Sequence, residues 1–515
     1  MEPANAADRT PRRRHLRPIL FMGLVGLLVA AGVQLRSERG VASNGRTSGL
    51  PASVRGATSQ PNIVILLTDD QRTDEMAHMP ALHAQLIDKG VTFDRSFVVD
   101  PLCCPARISL LRGQTSHTTS VWNVTGTYGG WPRVHQVQLE GSTLATWLHA
   151  AGYRTALVGK YLNEYTDLSF VPPGWDYWRA LLEQPYQDFT VSENGTPRQW
   201  TGVYNTTVMT DYADQFIRGT PATQPLFLYL SYIAPHEPTI PDAKYQNDPR
   251  CLDVRHDSGP AFNEADVSDK PPYIRKRALF SAADQQTYGV VRPQNACRTL
   301  LSVDDGLTSV IDALTDTGRM SSTMFIYTSD NGILDGEHRH HEKKVPYEES
   351  IRVPLVVRYD PITGGVARHD PDMVLNIDIA PTLMSLDGLS VRPGCPTPPY
   401  GTCSGAFDGR SFLPLLTGTS TQWRTKFLIE HWDDPTKPGI PTYCGVRTLR
   451  YKFVHYWTGD EELYDLKADP HELTNVLVAG GLTAGEKAQR KKFRTTLFGP
   501  KGLCVPPPPG LTPPG

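Results

Sequence analysis

The sequence predicts an α/β fold, on three observations. Apolar runs without polar alternation at residues 62–67, 155–158, 226–233 and 324–327 read as strands covered on both faces, as in a parallel sheet. Helical patterns lie between them, at 142–151 with Ser142 as the expected N-cap and at 297–314 with apolar residues at helical spacing. Each strand also leads into polar residues: Thr68-Asp69-Asp70, Gly159-Lys160, Ala234-Pro235-His236 and Thr328-Ser329-Asp330-Asn331-Gly332. In alternating α/β folds ligands bind at the carboxyl ends of the strands, so these residues are expected to converge.

With 515 residues, 44 prolines and 43 glycines, the chain suits a loop-rich enzyme with one large domain and one smaller one. A net charge of −3 with 20% charged residues provides no global basic field, so nucleic acid is not an expected partner. No internal repeat of fixed period is evident. Arg12, Arg13, Arg14 and Arg17 precede an uncharged, mostly apolar run at 19–33. That run is shorter than the roughly 20 residues a spanning helix needs. Residues 1–33 therefore read as a signal peptide, with an uncleaved signal anchor as the alternative, and the protein as secreted or extracytoplasmic. Residues 34–58, rich in Gly, Ser and Arg, read as a disordered tether, and 505–515 as a Pro-rich tail.

Two pairs of oxygen donors, Asp69-Asp70 and Asp330-Asn331, stand at two strand ends. Adjacent carboxylates without basic neighbours repel, and a divalent cation resolves the repulsion. The set holds neither His nor Cys, which favours Ca²⁺, with Mg²⁺ second, over Zn²⁺. His338, His340 and His341 lie in a dense charged run without regular zinc-ligand spacing.

The most specific signal is Leu102-Cys103-Cys104-Pro105-Ala106-Arg107, with Gly113 after five more residues. Residues 106–112 read as a short helix stopped by Gly113, which puts Cys103 at a helix N-terminus, where free N–H groups and the dipole favour an anion. This pattern resembles the signature of type I sulfatases, whose cysteine is oxidised to formylglycine. Further stretches extend the likeness from about residue 60 to about 475: Leu66–Gln71 in sequence Leu-Leu-Thr-Asp-Asp-Gln, Gly159-Lys160-Tyr161-Leu162-Asn163-Glu164-Tyr165, Pro173-Gly174-Trp175-Asp176-Tyr177-Trp178, Ala234-Pro235-His236, Leu301-Ser302-Val303-Asp304-Asp305, and residues 327–332 and 347–358. The N-acetylglucosamine-6-sulfatase branch is the most similar.

The resemblance implies an alkaline-phosphatase-like fold: a large mixed central sheet flanked by helices, then a smaller C-terminal domain with a short antiparallel sheet. The catalytic domain is placed at 59–420 and the C-terminal α+β subdomain at 421–504. Within the latter, 447–454 and 456–466 read as strands around a turn at Thr458-Gly459-Asp460. The implied reaction is hydrolysis of a sulfate ester to an alcohol and inorganic sulfate, on a sulfated sugar such as N-acetylglucosamine 6-sulfate. A broad arylsulfatase and a phosphonate or phosphate monoester hydrolase are the alternatives. Against the phosphatases stand Asn331, where they commonly carry a histidine, and the absence of their zinc-binding Asp/His sets.

The resemblance further implies that Cys103 becomes formylglycine, made by a formylglycine-generating enzyme, and touches the cation. Asp69, Asp70, Asp330 and Asn331 are the remaining implied Ca²⁺ ligands. Arg107, Lys160, His236 and Lys343 are implied to bind the sulfate and assist proton transfer. Lys343 is preferred over Lys344 by its spacing to Glu348. Leu162 stands where many arylsulfatases have a histidine, so His236 becomes the leaving-group acid, with His117 second. Specificity is expected from rim loops at 163–205, 237–295 and 430–445, whose Trp175, Tyr177, Trp178, Tyr186, His431 and Trp432 suit stacking on a sugar or aryl group. Oligomeric state is left open.

Of eight cysteines, converting Cys103 leaves seven. Cys104 is expected as a buried free thiol. Cys251, Cys297, Cys395, Cys403, Cys444 and Cys504 allow up to three bridges, with Cys395–Cys403 favoured because it closes a short Pro/Gly-rich loop.

Overall fold

A computed structural model describes residues 60–505 except 184, 397–404, 421, 434–438 and 479–481. The expected signal segment at 1–33 and tether at 34–58 lie outside the described residues, as does the Pro-rich tail beyond its first residue. The main sheet is mixed and ten-stranded. Its strands are β1 Asn62–Thr68, β2 Val91–Phe97, β3 Arg154–Gly159, β4 Tyr177–Leu182, β5 Phe189–Glu193, β6 Thr196–Trp200, β7 Leu226–Ser231 and β8 Thr323–Ser329. A separate two-stranded ribbon, β9 Leu334–Asp335 with β10 His341–Glu342, precedes the last two, β11 Leu355–Arg358 and β12 Arg368–Leu375. The spatial order is β12-β2-β11-β8-β1-β7-β3-β4-β5-β6.

The four strands read from apolar runs are the four central ones, and they pair in parallel: Ile63 opposite Phe227 and Met324, and Ala156 opposite Leu228. Both faces are covered, so β1, β7 and β8 are buried along their whole length and their sequences show no alternation. Antiparallel pairs enter only away from this centre, at β4-β5-β6 and at β11. The helices Asn205–Arg218 and Arg292–Asp316 cover one face, packing Val208, Phe216, Leu300 and Leu307 against Val64, Leu228 and Phe325.

Two helix boundaries differ from the sequence reading. The helix expected at 142–151 spans Leu144–Ala150 and is capped by Thr143, which forms a reciprocal box with Thr146. Ser142 instead accepts hydrogen bonds from Trp147 Nε1 and Gly394 N, so its hydroxyl serves a loop contact rather than the cap. The helix expected at 297–314 begins earlier, at Arg292, where it continues from a π-helical turn at Thr287–Val291, and Pro293 has no N–H to bond back into that turn. Inside that helix Asp304 accepts the backbone N–H groups of Ala81 and Leu82, at 2.7 and 2.8 Å, and so caps the Pro80–Gln85 helix from outside.

A second, antiparallel sheet follows: β13 Lys426–His431, β14 Tyr443–Thr448, β15 Tyr451–Tyr456 and β16 Glu461–Asp465, in that order. The strand expected at 447–454 is broken by a tight turn, where Thr448 Oγ1 accepts the Tyr451 N–H at 2.9 Å and reverses the chain. The turn expected at 458–460 is present, with Gly459 at φ +91°. One face of this sheet shares a core with the main body, through Phe427, Ile429, Tyr443, Val454 and Tyr456 against Phe97, Val99 and Met373. The other face is covered by the Ala484–Phe498 helix through Phe493 and Leu497. Cys251–Cys297 and Cys444–Cys504 are disulfides, and Cys103 and Cys104 are buried free thiols. Cys395 is also disulfide-bonded, while Cys403 of the expected Cys395–Cys403 pair lies outside the described residues.

The joint between the sheets is a buried charge network. Lys452 Nζ lies 3.0 Å from Glu348 and 2.7 Å from Glu472, and Arg447 Nε lies 3.0 Å from Glu348. Burial opposes the charge on Glu348, but Lys452 and Arg447 outweigh it and draw its pKa down to about 2. Lys452→Ala would leave two buried carboxylates short of a partner, and its expected cost is about 3–5 kcal/mol. A thermal melt reads this out, and an unchanged melting temperature would show that the joint does not depend on the network.

Candidate active site

The polar residues at the strand ends converge. Asp69 and Asp70 follow β1, Asp330 and Asn331 follow β8, Lys160 follows β3, and His236 lies five residues beyond β7. Asp70 adopts φ +65°, a conformation aspartate tolerates better than most residues. Gly159 is required where β3 meets β7: at φ +104°, a Cβ there would stand 1.9 Å from the Ser231 carbonyl oxygen. That close approach lets Lys160 N donate to the same carbonyl at 2.8 Å and turns the lysine into the site. Cys103 opens the Cys103–Arg112 helix, which ends on Gly113 in the left-handed conformation.

Arg107, wholly buried one turn into that helix, ties the strand ends together. Its Nε donates to Asp330 Oδ2 at 2.7 Å, and its Nη1 donates to Ser231 Oγ at 2.6 Å and the Lys160 carbonyl at 3.1 Å. Its Nη2 lies 3.2 Å from Asp69 Oδ2. Lys160 Nζ also contacts Asp69 Oδ2, and Lys343 Nζ contacts Asp70 Oδ1. Lys343 Nζ donates to Cys103 Sγ at 2.9 Å, and Cys103 Sγ donates to Asp69 Oδ1 at 3.7 Å. His236 Nε2 lies 3.7 Å from Asp70 Oδ2, and its Nδ1 lies 2.6 Å from the Glu237 carbonyl oxygen. Asn331 Nδ2 donates to Asp70 Oδ1 at 2.5 Å. Lys344 turns away: its N–H donates to the Pro101 carbonyl, and its own carbonyl accepts from Tyr443.

Burial and charge set the protonation states. Burial opposes ionisation of Asp69, but Lys160, His236, Arg107 and Lys343 overcome it and hold the carboxyl far below the usual range. Asp70 is lowered in the same way, mainly by Lys343. For Asp330 burial prevails over Arg107, and its pKa rises. Burial pushes the Cys103 thiol up to about 11 despite Lys160 and Lys343. Near neutral pH that sulfur is therefore a thiol, not a nucleophilic thiolate.

Asp69, Asp70, Cys103 and His236 place donor atoms all within 4.8 Å of one another. Asn331 Oδ1 is buried without a hydrogen-bond partner, which leaves a carbonyl-type oxygen free beside these carboxylates. The two carboxylates and the orphaned amide oxygen fit a hard cation. The cluster also brings in the Cys103 sulfur and a His236 nitrogen, which the two strand-end pairs do not include, and Asp330 Oδ2 is engaged by Arg107. Lys160, Arg107 and Lys343 add three positive charges to the same cluster, and His236, a quarter exposed, is its most exposed side chain.

Several expectations do not survive the packing. His117 is occupied with Glu430, its Nδ1 at 2.7 Å from Oε2, and no contact joins it to Cys103 among the described residues. Of the proposed stacking aromatics, Tyr177, Trp178, Tyr186, His431 and Trp432 are buried. Trp178 packs on Tyr161 and Tyr165, Tyr186 stacks on Tyr204, and Trp432 packs on Trp122, so these rings hold loops rather than face a substrate. Trp175 is half-buried against Trp178 and Phe227. The histidines of the charged run go separate ways: His338 to Glu264, His341 to Glu237, and His340 to a buried position where loss of water and the nearby Arg277 charge lower its pKa to about 3. Ser231, which orients Arg107, was not anticipated; a lone serine ending an apolar run carries no signal in sequence.

Comparison with known proteins agrees with this geometry. The Sulfatase family pattern matches residues 61–389, and a pattern described as N-sulphoglucosamine sulphohydrolase, C-terminal, matches 336–495. An arylsulfatase of Volvox carteri is 32% identical over 82% of this chain and 72% of its own. The human N-acetylglucosamine-6-sulfatase is 31% identical over 82% of each chain. A solved protein in complex with its substrate D-glucosamine-2-N,6-O-disulfate shares the fold, with a TM-score of 0.67 and 23% identity over 85% of this chain and 97% of that one. Strand ends, charge and kinship together lead to one conclusion: this chain belongs to the sulfatase family and hydrolyses sulfuric esters.

Proposed function

We propose that this enzyme removes a 6-O-sulfate from a terminal glucosamine unit of a sulfated glycan, with position 103 converted to formylglycine. The observation that carries the reading is the buried Cys103 among Asp69, Arg107, Lys160 and Lys343, a setting that suppresses thiolate chemistry but suits binding of an anionic group. The kinship with N-acetylglucosamine-6-sulfatases supports the sugar, and the similar identity to an arylsulfatase, 32% against 31%, makes an aryl ester the rival substrate.

Formylglycine at position 103 would supply, as its hydrate, a hydroxyl nucleophile toward sulfur and a second hydroxyl that allows the aldehyde to be regenerated. Asp69, Asp70, Asp330 and Asn331 would hold Ca²⁺, whose charge polarises the ester. Lys160, Lys343 and Arg107 bind the anionic oxygens, and their preorganised charges favour the transition state over the ester. The Nδ1–H of His236 donates to the Glu237 carbonyl, which fixes the ring with Nε2 toward the site, and the ring carrying a second proton on Nε2 would give that proton to the departing alcohol. We place the catalytic domain at 59–420 and the C-terminal subdomain at 421–504. Export through the 1–33 segment would deliver the enzyme to extracytoplasmic glycans. No helix among the described residues is long and apolar enough to cross a membrane.

Peptide mapping of protein from a host with a formylglycine-generating enzyme should find an aldehyde at position 103. Only thiol there, in fully active protein, would refute the mechanism. Cys103→Ala should lower turnover by roughly three orders of magnitude or more, whereas Cys104→Ala should keep most of it. Elemental analysis should find calcium, and Asp330→Ala should lose both calcium and activity; zinc in its place would favour the phosphatase alternative. Catalytic efficiencies on glucosamine 6-sulfate, galactose 6-sulfate and nitrophenyl sulfate decide the substrate. An aryl ester ahead by about a hundredfold, roughly 2.7 kcal/mol of transition-state binding, would replace the sugar and leave the sulfatase reading standing.

A further inference from the structure

The Ala484–Phe498 helix carries five cationic side chains and a single glutamate, in a chain whose net charge is −3. It is anchored through Phe493 and Leu497, which are buried against the second sheet. On its exposed side Lys487, Arg490, Lys491 and Arg494 recur at i, i+3, i+4 and i+7, so they form one stripe. That stripe lines an open groove of about 700 Å³, closed at one end by His455 and Phe498.

The groove is organised rather than a loose set of charges. Glu461, on β16, holds Arg490 Nε at 2.6 Å, contacts Arg494, and lies 3.1 Å from His455 Nδ1. One carboxylate is thus shared among three basic groups, which orders the two guanidinium groups without neutralising the stripe. Among the described residues, neither Lys487 nor Lys491 has a carboxylate at ion-pair distance. The end of the groove is aromatic: Phe498, 42% exposed, lies 4.9 Å from the His455 ring and 6.2 Å from the Trp457 ring, centroid to centroid. His455 and Glu461 project from the face of the second sheet that the helix covers, and the opposite face packs on the main body. The sheet therefore stands between this groove and the Cys103 site.

We propose that this groove is a second binding site, for a run of sulfated sugars in a polymeric glycan, away from the ester being hydrolysed. The cationic stripe complements the sulfates, and the exposed ring gives a sugar face an apolar platform. The site would hold the polymer while successive ends are processed, raising the local concentration of ester at the catalytic pocket. The choice of glycan rests on the reading of the substrate given above; the existence of a polyanion site does not.

The test uses the full chain and the double variant Lys487→Glu/Lys491→Glu, two exposed positions remote from the catalytic groups. Binding of a heparin dodecasaccharide, measured by calorimetry, should weaken by about tenfold or more, and the wild-type affinity should fall steeply with salt. The melting temperature and nitrophenyl sulfate turnover should be unchanged. Phe498→Ala should also weaken binding, without the change in salt dependence. Equal heparin affinity in the double variant and the wild type would overturn the site. Single-stranded DNA of matching charge or phosphatidylserine vesicles binding the wild type as tightly as heparin would overturn the glycan assignment. Binding is read without turnover, so an enzyme that failed on every glucosamine ester would refute the proposed substrate while leaving this result intact.

Discussion

The guanidinium of Arg107 is the constraint on which the rest of the site depends. Fully buried, it touches Asp330 after β8, Asp69 after β1, Ser231 at the end of β7 and the Lys160 carbonyl after β3. An ion moved out of water carries an effective penalty of several kcal/mol even after relaxation, and only complete, well-directed partners offset it. Arg107 therefore stays buried only while four strands end in register. The planar fork is needed for this: a lysine offers one point charge and could not span four partners in different directions. The helix that carries Arg107 also begins at Cys103, so the same constraint fixes the position of that cysteine.

Around that fork, three buried carboxylates face Arg107, Lys160 and Lys343, and the charges nearly cancel. Burial sharpens every interaction there because little water screens it. The consequences differ by residue. Asp69, near the most cations, remains ionised, Asp330 is pushed toward its neutral form, and the Cys103 sulfur holds its proton near neutral pH. A site that disfavours a new anion on its own sulfur, yet presents three cations at its floor, is organised for an anion brought in by a substrate. His236, a quarter exposed, is where this cluster meets solvent.

The second sheet is tied to this arrangement through charge as well as apolar packing. Residues 347 and 348 sit between the bodies: Tyr347 donates to Glu462 at 2.8 Å, and Glu348 meets Arg447 and Lys452. Lys343 is only four residues before Tyr347, so the position of the ammonium beside Cys103 is set partly by how the second sheet docks. That gives a physical reason for the likeness over residues 347–358, which contribute no group to the pocket floor.

The sequence by itself determined the central parallel strands, the chemistry at their ends and the sulfatase motif, because each of these is local. A strand buried on both faces must be apolar throughout, a glycine in the left-handed conformation such as Gly113 readily ends a helix, and two adjacent carboxylates at a buried strand end need positive charge beside them, here from Lys160 and Lys343. Non-local partners were decided by the tertiary structure alone. Which of Lys343 and Lys344 faces Cys103, whether Thr143 or Ser142 caps a helix, and where a turn breaks 447–454 depend on hydrogen bonds made from distant or competing groups. The aromatic residues show the limit most clearly. Tyr177, Trp178, Tyr186 and Trp432 have the composition of a sugar-binding rim, yet large rings gain more by burial against one another than by exposure, and only the packing reveals which choice was made.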